Sequence, residues 1–126
     1  MADKNYNTSL YFLLSHAVLC IIWNAIGLWL LSQGKQAIGP TATYAGIALF
    51  FLLAVGYIFF SNKDYSKTYL IFAGIGAVLA GYAITGGLTK DHALWPSEFW
   101  RYAGMAVNAL GVIGFILGVK TFVGRK

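Results

Sequence analysis

Three polar side chains recur at helical spacing within one apolar run. His16, Cys20 and Asn24 stand four residues apart, so at 100° per residue they share a face with Ser9, Trp23 and Gly27. A histidine and a cysteine at this spacing are both metal donors, and a neutral imidazole also accepts a proton. Two donors do not complete a zinc site, and no further Cys, His or carboxylate falls at the same depth. Copper(I) would need soft ligands from a second chain. Cys20 is the single cysteine, which excludes an intrachain disulfide and a paired-cysteine redox motif. Haem iron held by two histidines would require His16 and His92 to meet, yet one lies within a helix and the other in a loop on the opposite side. No cofactor and no metal are predicted for the chain alone; a single axial haem ligand, or a haem or quinone from a partner chain, stays open.

The second concentration of reactive types is Lys90, Asp91, His92, Glu98 and Arg101, beside Trp95 and Trp100. It reads as a solvated interfacial turn with aromatic anchors, or alternatively as an outer-surface vestibule built from His92, Glu98 and Arg101. Asp91 and Glu98 are seven residues apart across Pro96, a spacing that does not by itself make a pair of cooperating carboxylates. Serine-nucleophile, phosphate-loop and HExxH patterns are missing, and Gly74-Ile75-Gly76 and Gly86-Gly87 sit within apolar stretches rather than after strands. The expectation is therefore a protein without catalytic residues.

These side chains must be positioned by membrane-spanning helices. Only 10% of the 126 residues are charged and 59% are hydrophobic, whereas a soluble domain carries about 25% charged residues. Charge-free stretches cover 5–34, 36–62, 68–89 and 102–119, which are 30, 27, 22 and 18 residues long. Roughly 20 residues cross a hydrocarbon core about 30 Å thick. Four helices are predicted, near 10–31, 41–60, 68–88 and 97–122, in one transmembrane domain spanning 1–126. Short connections make antiparallel neighbours, so the fold class is all-α: an integral membrane four-helix bundle running up-down-up-down, with both termini on one side.

Lysine and arginine set the orientation. Lys4, Lys63, Lys67, Lys120, Arg125 and Lys126 lie on one side, against Lys35, Lys90 and Arg101 on the other, which predicts cytoplasmic termini in a bacterial-type inner membrane. Trp29, Trp95 and Trp100 then fall near the outer interface. Asp3 dilutes the basic start and no small-residue cleavage site closes the first helix, so it reads as retained. Anionic headgroups, rather than nucleic acid, account for the net charge of +5.

Inside lipid, helices associate through close approach at small residues and through buried hydrogen bonds. The third helix carries Gly74, Ala77, Gly81 and Thr85 on one face and Gly76, Ala80, Ala83 and Gly87 on another, and is predicted to be central. The second helix, with Phe50, Phe51, Phe59 and Phe60, is predicted to be peripheral. On the fourth, Gly104, Gly111, Gly114 and Gly118 serve packing, Pro96 suits the first turn and Glu98 complements the helix dipole. Asn24, Asn108 and Tyr82 are expected at one depth, as a hydrogen-bonded layer in the outer half. With His16 and Cys20 they are the candidate ligand-facing residues. The function expected is a non-catalytic accessory subunit that packs with itself or with other membrane subunits among lipids. Two alternatives are a small oligomeric channel or transporter with a polar pathway along helices one and four, and a lipid-, quinone- or haem-binding membrane enzyme subunit.

Overall fold

The computed structural model describes residues 6–124, so Lys4, Arg125 and Lys126 of the charge comparison lie outside the described residues. Within it the chain forms four α-helices: α1 (Asn7–Ser32), α2 (Tyr44–Phe60), α3 (Ser66–Thr89) and α4 (Glu98–Gly124). Single 3-10 turns at Lys63–Tyr65 and His92–Leu94 connect α2 to α3 and α3 to α4. There is no strand among the described residues. The protein is an all-α membrane bundle. Helices α1, α3 and α4 are long and apolar enough to cross a bilayer, whereas α2 has 17 residues.

Local chemistry explains the helix ends. Gly34 adopts φ 72°, the left-handed region that a side chain resists, and this lets Lys35 N–H donate to Leu30 O and Gly34 N–H to Leu31 O. That pair of bonds stops α1. At α2, Thr43 is extended and its hydroxyl accepts from Gly46 N–H at 2.9 Å, so the helix begins at Tyr44 rather than at 41. Ser97 O accepts the first bond of α4, from Arg101 N–H, which leaves Pro96 just ahead of the helix rather than in its first turn.

Around the bundle, α1 packs on α2 and α4, and α3 packs on α4 and more lightly on α2. Helices α1 and α3 are diagonal and barely touch. No helix is central, α3 included: each packs mainly on two neighbours, and the most extensive contacts are those of α4 with α3 and α1, because its glycines admit large side chains. A Cβ on Gly104 would stand 3.3 Å from Trp23, on Gly111 2.6 Å from His16, on Gly114 2.8 Å from Leu13 and on Gly118 3.0 Å from Ser9. In each of these pairs the two residue numbers add to 127, which fixes an antiparallel register along nearly the whole contact. Helices α2 and α3 interlock the same way at one end: a Cβ on Gly56 would enter the Phe72 ring, and one on Gly76 would strike the Tyr57 hydroxyl.

The two ends of the bundle differ. At the end nearer the chain termini, Tyr6, Ser9, Leu13, His16, Tyr57 and Tyr69 are fully buried, with Tyr6 stacked on Tyr69 at 4.4 Å between ring centres. Ser9 Oγ shares a 2.7 Å hydrogen bond with Tyr69 and contacts Gly114 O at the same distance. The opposite end, where the α1–α2 and α3–α4 connections meet, is hollow.

Candidate functional site: a cavity at the loop end

The connections at this end fold inward. Ala37, Ile38 and Gly39 are buried, and a Cβ on Gly27 of α1 would touch Ala42 and Ala37, so this glycine lets the α1–α2 connection lie against the helix. Gln36 Nε2 donates to Ala93 O at 2.7 Å, tying one connection to the other. Beneath this roof lies a cavity of about 270 Å³. Cys20, Trp23 and Asn24 of α1 and Gly104, Met105 and Asn108 of α4 form its back wall. Gly46, Leu49 and Phe50 of α2 face Leu79, Tyr82 and Ala83 of α3 across it, and Gly39, Pro40, Thr41, Lys90 and Trp95 close the top.

Asn24 is fixed at both amide atoms: Nδ2 donates to Cys20 O at 2.8 Å, and Oδ1 accepts from Thr43 N–H at 2.9 Å. A side chain of α1 therefore anchors the start of α2. Asn108 does not join it. Its Nδ2 donates to Gly104 O at 2.8 Å, which orients the amide, and its Oδ1 lies 3.0 Å from His16 Nε2. The expected Asn24–Asn108 bond is replaced by His16–Asn108, and the α1–α4 register is the reason. Asn24 is level with residue 103, five residues from Asn108, or about 7.5 Å at 1.5 Å per residue. Tyr82 is 79% exposed and stands at the rim between α2 and α3 rather than in a buried layer.

Because Asn108 offers His16 a carbonyl oxygen, the proton of neutral His16 is on Nε2, and Nδ1 carries a lone pair. That Nδ1 is buried with no hydrogen-bond partner, pressed towards Gly111. Phe50 meets the ring edge-on at 5.4 Å. Cys20 lies one turn away and lines the cavity, but the described residues contain no group of three metal-ligating side chains.

The loop residues form a chain of contacts. His92 Nδ1 is 3.1 Å from Glu98 Oε2, and Arg101 donates to Glu98 Oε1 through Nε and Nη2. Arg101 is only 5% exposed, and its Nη1 donates to Gly87 O at 2.7 Å, satisfying a carbonyl at the end of α3. Asp91 instead accepts from Ala93 N–H, so it caps the short turn and does not pair with Glu98. His16 and His92 occupy different parts of the molecule, one locked against α4 and the other half exposed at the loop.

No family model, curated protein or solved structure matches the chain. The site must be judged from its own chemistry. Among the glycines expected to pack helices, Gly104, Gly111, Gly114 and Gly118 face α1, and Gly74 meets Phe115 at 3.6 Å, while nothing lies within 4 Å of a Cβ on Gly81. Two features of the cavity had not emerged from residue spacing: the inward-folded Ala37–Gly39 segment and the indole nitrogens that converge beside it. A Cβ on Gly39 would stand 3.0 Å from Trp23 Nε1 and 3.4 Å from Trp95 Nε1. The uncharged run Gln36–Tyr44, containing Gly39-Pro40, was the signal available for the first; nothing local signals the second.

Proposed function

We propose that this protein binds an amphipathic small molecule of the bilayer in the loop-end cavity, which corresponds to the lipid- or quinone-binding alternative. The supporting observation is the cavity's polarity gradient. Lys90, Arg101 and two indole N–H groups gather at the roof, and Leu49, Phe50, Leu79 and Val107 line the part nearer the bundle middle. Such a site takes a ligand with a polar head and an apolar body. A through-channel within one protomer is less well supported, since the other half of the bundle is filled by fully buried tyrosines and leucine. The Lys and Arg bias supports an inner-membrane location with cytoplasmic termini, which would face the cavity towards the outer leaflet.

The test is extraction and mass spectrometry of molecules retained after purification in mild detergent, from the unaltered protein and from Ala83→Phe, which would fill the cavity from α3. Retention of one class of amphiphile, reduced severalfold in the folded variant, is the expected result. A folded protein that carries none, in either form, would overturn the reading.

A second reading, the accessory-subunit or homo-oligomer one, is favoured by a different observation. On α3 and α4, Ile71, Gly74, Ile75, Val78 and Phe115 border a shallow groove, with Gly81 open one turn further on. Small residues of this kind let a further helix approach closely. Crosslinking in membranes through cysteines placed at Val78 is expected to capture that neighbour, and a monomer alone would count against it.

A further inference from the structure

We propose that the occupant of the cavity is an anionic, phosphate-headed lipid, with its head beneath the roof at Lys90 and its chain leaving between α2 and α3. This rests on the reading of the cavity as a ligand site and concerns which class of ligand it takes. Both ionic side chains in the lining are cations, Lys90 and Arg101. Arg101 is already compensated by Glu98 and by Gly87 O, whereas Lys90 makes no ion pair with a described residue and extends over Gly86, its Nζ 3.8 Å from a Cβ there.

The groups left without any partner are mainly donors. Both amide groups are used within the protein, Asn24 on Cys20 and Thr43, and Asn108 on Gly104 and His16. The indole N–H groups of Trp23 and Trp95 donate to no described residue, and an indole N–H cannot accept. The hydroxyls of Thr41 and Tyr82 serve either role. One uncompensated ammonium with two convergent donors matches a head that is anionic and accepts at several oxygens. Lys90 is exposed at the cavity's edge, where an anionic head can reach it from the membrane surface, whereas a neutral quinone carbonyl would occupy the donors without drawing on that charge.

Size and shape supply the route for the chain. A cavity of about 270 Å³ is near the lower limit of enclosed small-molecule sites, enough for a head and the start of a chain. The rest must lie outside, and the roof is tied shut by Gln36 and Ala93. Helices α2 and α3 interlock at Gly56 with Phe72 and Gly76 with Tyr57, then stand apart where Leu49 and Tyr82 border the cavity, and both of these residues are exposed to the bilayer side. A lipid can therefore enter from the outer leaflet with its chain already in hydrocarbon.

The experiment reconstitutes the full chain in nanodiscs of phosphatidylcholine with graded phosphatidylglycerol and measures by native mass spectrometry which lipid stays bound after release. Selective retention of phosphatidylglycerol is expected, with selectivity falling about fivefold in Lys90→Gln, the worth of one lysine near a membrane surface, and kept in Lys90→Arg. Equal retention of phosphatidylcholine, or unchanged selectivity in Lys90→Gln, would overturn the anionic head while leaving the cavity a ligand site. Inorganic phosphate alone binding as tightly as the lipid would overturn the lipid assignment. Ala83→Phe separates the two levels: if it displaces a bound lipid of either head, the site stands and only the class is in question, whereas no displacement removes the site itself.

Discussion

Substituting Gly111 by alanine probes the contact that seats His16. The new Cβ would stand 2.6 Å from Nδ1, 2.8 Å from Cε1 and 3.0 Å from Cγ, where ordinary contact begins at 3.4 Å. The ring must therefore retreat by about 0.8 Å, the difference between 2.6 and 3.4 Å. Asn108 is on the same helix as Gly111, so retreat from α4 also lengthens the 3.0 Å bond beyond hydrogen-bonding reach, and the edge-on contact with Phe50 must shift as well. Overpacking costs about 1–3 kcal/mol. The lost interhelical bond adds about 0.6 kcal/mol. Replacing glycine by alanine in a helix returns about 1 kcal/mol. The net loss expected is about 0.5–2.5 kcal/mol, read from reversible unfolding in mixed detergent micelles. Gly81→Ala is the control, because nothing lies within 4 Å of its Cβ and only the helix gain remains. In a His16→Ala background Gly111→Ala should turn from destabilising to neutral or stabilising. If Gly111→Ala is as stable as Gly81→Ala in the native background, the packing argument for α4 is wrong.

Other outcomes follow from the same contacts. In a double-mutant cycle His16→Phe and Asn108→Leu should be non-additive by about 0.6 kcal/mol, while Asn24→Leu and Asn108→Leu should add, since they share no bond; the reverse pattern would contradict the α1–α4 register. Tyr57→Phe should leave stability unchanged or raise it, because the Tyr57 hydroxyl is buried without a partner, whereas Tyr69→Phe should cost about 0.5–1.5 kcal/mol by removing the Ser9 bond. Arg101→Met should release the Gly87 carbonyl, so backbone amide exchange at the last turn of α3 should accelerate, with α1 unaffected.

The helices were legible in the sequence because the pattern that sets them is strong and local. Gaps between charges bounded all four to within three residues, and the glycines of α4 marked the face that meets α1. What could not be read was relative depth. Asn24 and Asn108 were expected at one level by counting from opposite membrane surfaces, and that count takes no account of the shift at which Gly111 must meet His16 and Gly104 must meet Trp23. The expectation of a central α3 fails for a related reason, since no helix occupies the middle. Two small-residue faces on α3 permit close packing on two sides, and α3 does pack on α4 and α2, but the glycine notches entered by the large side chains of α1 are on α4. The polar residues of the cavity were recognisable by type. Their partition into groups already bonded and groups still free depends on the inward fold of residues 37–39, which no periodicity encodes.

The shortness of α2 carries a consequence for the bilayer itself. Its 17 residues rise about 25 Å at 1.5 Å each, against a hydrocarbon core of about 30 Å. The other three helices match or exceed that core, so hydrophobic mismatch falls on one side of the molecule alone. Lipids beside α2 would meet a lowered edge, marked by exposed Tyr44 at its first turn, and local thinning of the leaflet is one way to meet it. For a lipid ligand of the kind proposed above, acyl-chain length in the host membrane would then control access to the α2–α3 opening: thicker bilayers would raise the cost of the dimple, and thinner ones relieve it.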